Sequence, residues 1–89
     1  MYFIELVNVT GRDQAGLTAM LTDRLAGANV MILDMGQAVI HDFLTLGLMI
    51  RCETGREEVI DDLARVFHER GLVVSRTRVA EEDYDAWVQ

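Results

Sequence analysis

Val9-Thr10-Gly11-Arg12-Asp13-Gln14-Ala15-Gly16-Leu17 is the stretch where the chain changes its hydrophobic period, and the fold reads outward from it. Upstream, residues 2–10 are rich in aromatic and β-branched side chains and stop at Gly11, which predicts a first strand. Downstream, Leu17, Met20, Leu21 and Leu25 recur at helical spacing, with Thr18, Thr22, Asp23 and Arg24 filling much of the other side and Gly27 offering a C-cap. A two-glycine turn opening a helix leaves backbone N–H groups unpaired at its positive pole, where a small carboxylate can be held. The Gly-x-x-x-x-Gly spacing also serves ordinary tight turns, so the motif needs support from its surroundings.

Residues 29–40 and 43–52 are apolar, strand-like runs separated by His41-Asp42, a gap that fits only a hairpin. If Ile40 faces Phe43, one surface carries Leu33, Met35, Gln37 and Val39 beside Leu44, Leu46, Leu48 and Ile50, and belongs under helices. The opposite surface carries Ile32, Asp34, Gly36, Ala38 and Ile40 beside Phe43, Thr45, Gly47, Met49 and Arg51. Gly36 across from Gly47 then leaves a shallow trough, either a bulge or bend or a place for close approach by another subunit or domain. Thr54-Gly55-Arg56-Glu57 has a capping-box pattern, and Val59, Ile60, Leu63, Ala64 and Phe67 follow at helical spacing up to Gly71. Residues 72–80 alternate as a last strand whose arginines, Arg76 and Arg78, suit an exposed or edge position. The order strand, helix, strand, strand, helix, strand predicts an α+β, ferredoxin-like βαββαβ sandwich: a four-stranded antiparallel sheet with two helices on one face. Its bare face would carry Ile32, Ile40, Phe43 and Met49, an apolar load that calls for dimerisation or docking.

At 89 residues the chain is one domain, burying roughly 60–65% of its unfolded surface. Fifteen Asp plus Glu against eight Lys plus Arg give a net charge of −7, which repels phosphate backbones and anionic lipid, so neither nucleic acid nor membrane is an expected partner. The single cysteine, Cys52, allows no internal disulfide and no CxxC metal or redox pair. No apolar run approaches the ~18–20 residues of a membrane span, and no basic leader precedes Tyr2; a soluble, cytoplasmic protein is expected.

The turn from Gly11 to Leu17, followed by Ala28-Asn29-Val30-Met31-Ile32-Leu33-Asp34, resembles the ACT domain, a small regulatory module that binds amino acids. The run from Ile32 to Gly47 looks like the N-terminal ACT region of bacterial phosphoserine phosphatases, and the acidic tail at residues 81–88 is similar to the segment leaving that region toward the rest of such an enzyme. The resemblance implies an ACT-type regulatory domain over residues 1–80 and a linker over residues 81–89. The catalytic domain, of haloacid-dehalogenase type with an Asp-x-Asp motif and magnesium, has no counterpart here, so the chain alone is expected to be no enzyme and to hold no catalytic residue, metal or cofactor. Ala15 departs from the family, which often has proline there, and loosens the helix start.

Carried over residue by residue, the resemblance places the ligand site at Gly11, Arg12, Asp13, Gln14, Ala15, Gly16 and Leu17, with Asn29, Val30 and Met31 from the start of the second strand, often of a neighbouring copy. The implied partners are an amino acid, L-serine foremost, a second copy in a homodimer, and the parent's catalytic domain. Amides near Ala15, Gly16 and Leu17 would take an α-carboxylate, and Asn29 would orient an ammonium or hydroxyl. Asp13 either caps the helix or reaches the ligand ammonium. Asn29 is equally at home in a turn after a helix, and Arg12 is either a carboxylate partner or a solvated side chain. His41-Asp42 reads as a polar hairpin tip, His68 as a residue of the helix C-terminus, and the methionines as core or interface filler. Gln37 stands out as a polar residue on the helix-covered face.

Overall fold

A computed structural model describes residues 1–88. The elements run β1 (Tyr2–Arg12), α1 (Leu17–Gly27), β2 (Met31–Ile40), β3 (Phe43–Glu53), α2 (Glu57–Glu69), β4 (Val73–Val79) and α3 (Glu81–Trp87). The four strands form one antiparallel sheet in the order β2-β3-β1-β4, the βαββαβ arrangement expected. Because Cβ atoms alternate along a strand, Phe3, Val7 and Val9 of β1 share a face with Leu44, Leu46, Leu48, Ile50 and Cys52 of β3. Against that face α1 sets Leu17, Leu21 and Leu25, and α2 sets Ile60, Leu63 and Phe67, closing a single core.

The hairpin pairs Ile40 with Phe43 and Gly36 with Gly47, as the even-length turn requires, and His41 takes φ 55 at its tip. The register slips between Ile32 and Asp34, however, so Leu33 is the extra residue of a bulge. One extra residue reverses the alternation below it. Ile32 therefore pairs with buried Ile50 and packs on the core, correcting its placement on the open face, which keeps Met31, Asp34, Gly36, Ala38 and Ile40. Met35 and Val39 point to the helix side yet remain 44% and 47% exposed, since β2 is an edge strand that α1 only partly covers. Gln37 lies on the same rim, where its Oε1 accepts a hydrogen bond from Thr18 Oγ1 at 3.3 Å; that accounts for a polar residue on this face.

Several local expectations give way to tertiary pairing. β1 continues through Gly11 to Arg12, because Leu44 and Phe43 of β3 extend the ladder past the glycine. α2 starts at Glu57 with Arg56 as its cap residue, and no side-chain cap forms, so the Thr54/Glu57 box is not made. Gly27 is the last residue of α1 rather than its cap: Ala28 is the cap residue, and Asn29 takes the left-handed conformation. β4 is an edge strand, as its arginines suggest, but Arg76 turns inward and joins buried Glu5 of β1 to Asp61 of α2. The acidic tail, read as a linker, forms the short helix α3, in which Tyr84 alone is half-buried.

Candidate ligand-binding site

The end of β1 and the turn into α1 each rest on a glycine, with different duties. Gly11 has φ 154, and a Cβ there would lie 2.6 Å from Leu72 Cδ2 and 3.3 Å from Leu72 Cα, so only glycine lets the strand end pass beside the start of β4. Gly16 is the cap residue of α1 at φ 77, with open space around it and its carbonyl accepting from Met20 N. A glycine cap has no side chain to satisfy the first amides of the helix, and the first turn of α1 holds no acidic residue. Among the described residues, the amides of Ala15, Gly16 and Leu17 have no hydrogen-bond acceptor.

Asp13 is not the cap. Its amide donates to the carbonyl of Asp42 at the hairpin tip, 2.8 Å away, and its side chain is exposed. Arg12 lies against the same tip, 3.8 Å from Asp42 and 5.3 Å from the centre of the Phe43 ring. Gln14 Nε2 donates to the carbonyl of Arg70 at 3.1 Å, and the Leu17 side chain is buried in the core. Backbone amides at 15–17 are thus what the turn presents, and the side chains of Arg12, Gln14 and Leu17 hold it in place.

Asn29, Val30 and Met31 form a separate group. Asn29 N donates to Ala26 O and Val30 N to Leu25 O, the paired bonds of a Schellman motif with asparagine at φ 60 in the position glycine usually takes. Val30 is buried against the core, while Asn29 and Met31 are exposed. Within one chain the two groups do not meet. They stand at opposite ends of the 11-residue helix α1, about 17 Å apart at 1.5 Å per residue. The sheet register agrees, since Gly11 pairs near the hairpin tip with Leu44 whereas Met31 pairs with Arg51 at the far end.

Two clefts lie elsewhere. One, of about 210 Å³, runs between the helices over Leu25, Ala28, Val59 and Leu63, with Arg24 and Asp62 at its rim. The other, of about 200 Å³, is the trough of the open face, bordered by Leu6, Asp34, Met49 and the paired Gly36 and Gly47. Sequence reasoning missed the ionic cluster at the opposite edge. Glu5 is 3% exposed and accepts from Arg76 Nε, Arg76 also bonds Asp61, and Arg78 reaches within 3.6 Å of Glu5 while its guanidinium covers the Phe3 ring at 4.0 Å. A glutamate on the strand face that otherwise carries Phe3, Val7 and Val9, by the period of two, was its signal. Glu5, and next to it Asp61, hold the Arg76 guanidinium above its ordinary pKa, and burial pushes the Cys52 thiol up. Among the described residues no three His, Cys, Asp or Glu side chains are grouped to hold a metal ion, and no helix is long and apolar enough to cross a membrane.

The profile of the ACT domain family matches residues 4–77. Over 76 residues the chain is 38% identical to the phosphoserine phosphatase SerB2 of Mycobacterium tuberculosis; the matched stretch covers 82% of this chain and 19% of that protein, so the chain spans about a fifth of the relative's length. In fold it is similar to an ACT domain protein from Streptococcus pneumoniae, with a TM-score of 0.71 at 14% identity over 85% of this chain and 89% of the other. It is likewise similar to the C-terminal domain of the MgtC protein from Mycobacterium tuberculosis, with a TM-score of 0.74 at 14% identity over 89% of each.

Proposed function

The chain belongs to the ACT domain family, and from that premise we propose that it is a regulatory amino-acid-binding module, with L-serine as ligand, of a cytoplasmic phosphoserine phosphatase in serine biosynthesis. Phosphatase catalysis and its magnesium would belong to a partner domain outside these residues, and the chain acts as the sensor. One observation carries the reading. The amides of Ala15, Gly16 and Leu17 lie unengaged at the positive end of α1, with no acidic side chain in its first turn, a receptor for an α-carboxylate.

The other half of the site comes from a second copy. A single amino acid cannot span the roughly 17 Å between the turn and Asn29, whereas an antiparallel two-fold pairing along α1 and the β2 edge sets the turn of one copy beside Asn29 and Met31 of the next. The β2 edge favours such a pairing. From Met35 to Ile40 it carries no charge and no proline, the features by which edge strands normally repel another strand, while the β4 edge carries Arg76 and Arg78. Serine binding across the pairing would stabilise it, and that differential affinity is what makes the module a regulator.

A second reading, an assembly module that dimerises or docks without ligand, rests on the open face, where Ile40 and Phe43 are exposed beside the Gly36/Gly47 trough. Calorimetric titration of the dimer with a panel of amino acids, alongside sedimentation with and without L-serine, decides between them. The sensor reading expects saturable heat with serine and a tighter dimer in its presence; a dimer indifferent to every amino acid leaves the assembly role.

A further inference from the structure

The ligand turn bears on the junction between α2 and β4 through two contacts. Gln14 Nε2 donates to the carbonyl of Arg70, which is the cap residue at the C-terminus of α2. Such a carbonyl has no partner within its own helix, so a donor from outside matters to it. One residue on, Gly71 at φ 81 and Leu72 close α2 by donating to His68 O and Phe67 O, and Leu72 is the residue on which Gly11 sits. Residues 70–72 are therefore gripped by Gly11 at the entry to the turn and by Gln14 at its middle. β4 starts at Val73 and leads through Val79 into α3. The contact to the hairpin tip is of another kind: Asp13 N donates to Asp42 O, a backbone bond open to almost any residue, whereas the Arg70 contact depends on the side chain at position 14.

We infer that Gln14 is a positioning residue that fastens the ligand turn to the α2–β4 junction, so that closure of the turn around a ligand is transmitted to β4 and α3. The inference rests on the proposed ligand site for its regulatory meaning, but the coupling itself is a property of the free protein. Gln14 then serves the site through Arg70, to whose carbonyl its carboxamide donates. By linkage the effect is reciprocal: whatever pulls on β4 or α3 alters the turn's affinity for its ligand. In the parent enzyme this would join ligand occupancy to the segment that leaves the domain.

Amide hydrogen exchange on the whole chain, for wild type, Gln14→Ala and Gln14→Arg, with and without L-serine as the probe, tests this. In the free protein Gln14→Ala should speed exchange at Gly71, Leu72 and Val73 about threefold, the low end for loss of one exposed hydrogen bond. Gln14→Arg keeps a donor within reach of Arg70 and should restore most of that protection. Amides in the centre of β3 should exchange alike in all three, which separates loss of the fastening from general destabilisation. With serine, wild type should gain protection at both residues 15–17 and 71–73, and Gln14→Ala at residues 15–17 only. Unchanged exchange at 71–73 in Gln14→Ala, or no recovery in Gln14→Arg, overturns the coupling. Absence of any serine effect overturns the ligand reading instead, and the free-protein comparison still decides the role of Gln14.

Discussion

Replacing Arg76 by Met keeps most of the aliphatic volume of the side chain and removes the one cation that, among the described residues, hydrogen-bonds buried Glu5. Glu5 is 3% exposed, so its carboxylate cannot recover water when the guanidinium goes. Removing one partner of a buried pair costs about 3–5 kcal/mol. Arg78 remains 3.6 Å from the other carboxylate oxygen, with 56% of its side chain exposed, and its screened attraction lowers the expected cost to about 2–3 kcal/mol. The bond to Asp61, which is largely exposed, adds at most about 1 kcal/mol. A domain of this size has roughly 4–13 kcal/mol in total, and each kcal/mol moves its melting point about 4–8 °C, so Arg76→Met should melt about 10–20 °C below wild type. Urea unfolding of Arg76→Met, Glu5→Gln, Asp61→Asn and the Glu5→Gln/Arg76→Met double variant, at one protein concentration and near neutral pH, measures it. Asp61→Asn should be nearly silent, and the double variant should regain at least about 1 kcal/mol over the sum of the singles, because a neutral amide at position 5 no longer needs the cation. A cost below about 1 kcal/mol for Arg76→Met, or strict additivity in the cycle, would refute the assignment of this cluster as the lock between β1, β4 and α2.

Asn29 separates backbone from ligand roles: at φ 60, Asn29→Gly should leave stability within about 0.5 kcal/mol, while Asn29→Ala should lower it by about 1 kcal/mol in thermal melts. If Asn29 also contacts the ligand, calorimetry should find serine binding weakened equally in both. Cys52 gives a pH dependence with a fixed sign. Burial raises its folded pKa, so the stabilisation is complete below the unfolded thiol value of about 8.5 and is lost as pH climbs from there through the folded value. Denaturation midpoints should therefore fall more steeply above about pH 8.5 in wild type than in Cys52→Ala, and parallel curves would contradict this.

The correct readings share a cause: each rests on a periodicity or a turn short enough to be fixed by its own residues. With Ile40 facing Phe43 across His41-Asp42, an unbulged ladder sets Gly36 opposite Gly47, and Leu17, Leu21 and Leu25 face one way because a helix turns every 3.6 residues. The missed features depend on atoms distant in sequence. The bulge at Leu33 moves Ile32 into the core because β3 offers Ile50 as its partner, and β1 outruns Gly11 because Leu44 and Phe43 are there to pair with. Arg76 does stand on an edge strand, but its bond to Glu5 exists only once the sheet sets β4 beside β1.

The candidate site divides in the same way. The turn and its cap were legible, because a strand meeting a helix through Gly16 leaves the first amides free by local geometry, whereas the duty of Gly11 is set by Leu72, sixty-one residues on. That Asp13 leaves the cap to Gly16, that Gln14 reaches Arg70, and that Asn29 stands a helix length from the turn could come only from the assembled fold. Sequence alone sets which backbone shapes each short segment prefers. Which unpaired groups then find partners is decided by packing, because those partners lie tens of residues away and come within hydrogen-bond distance only when the sheet and both helices close on one core.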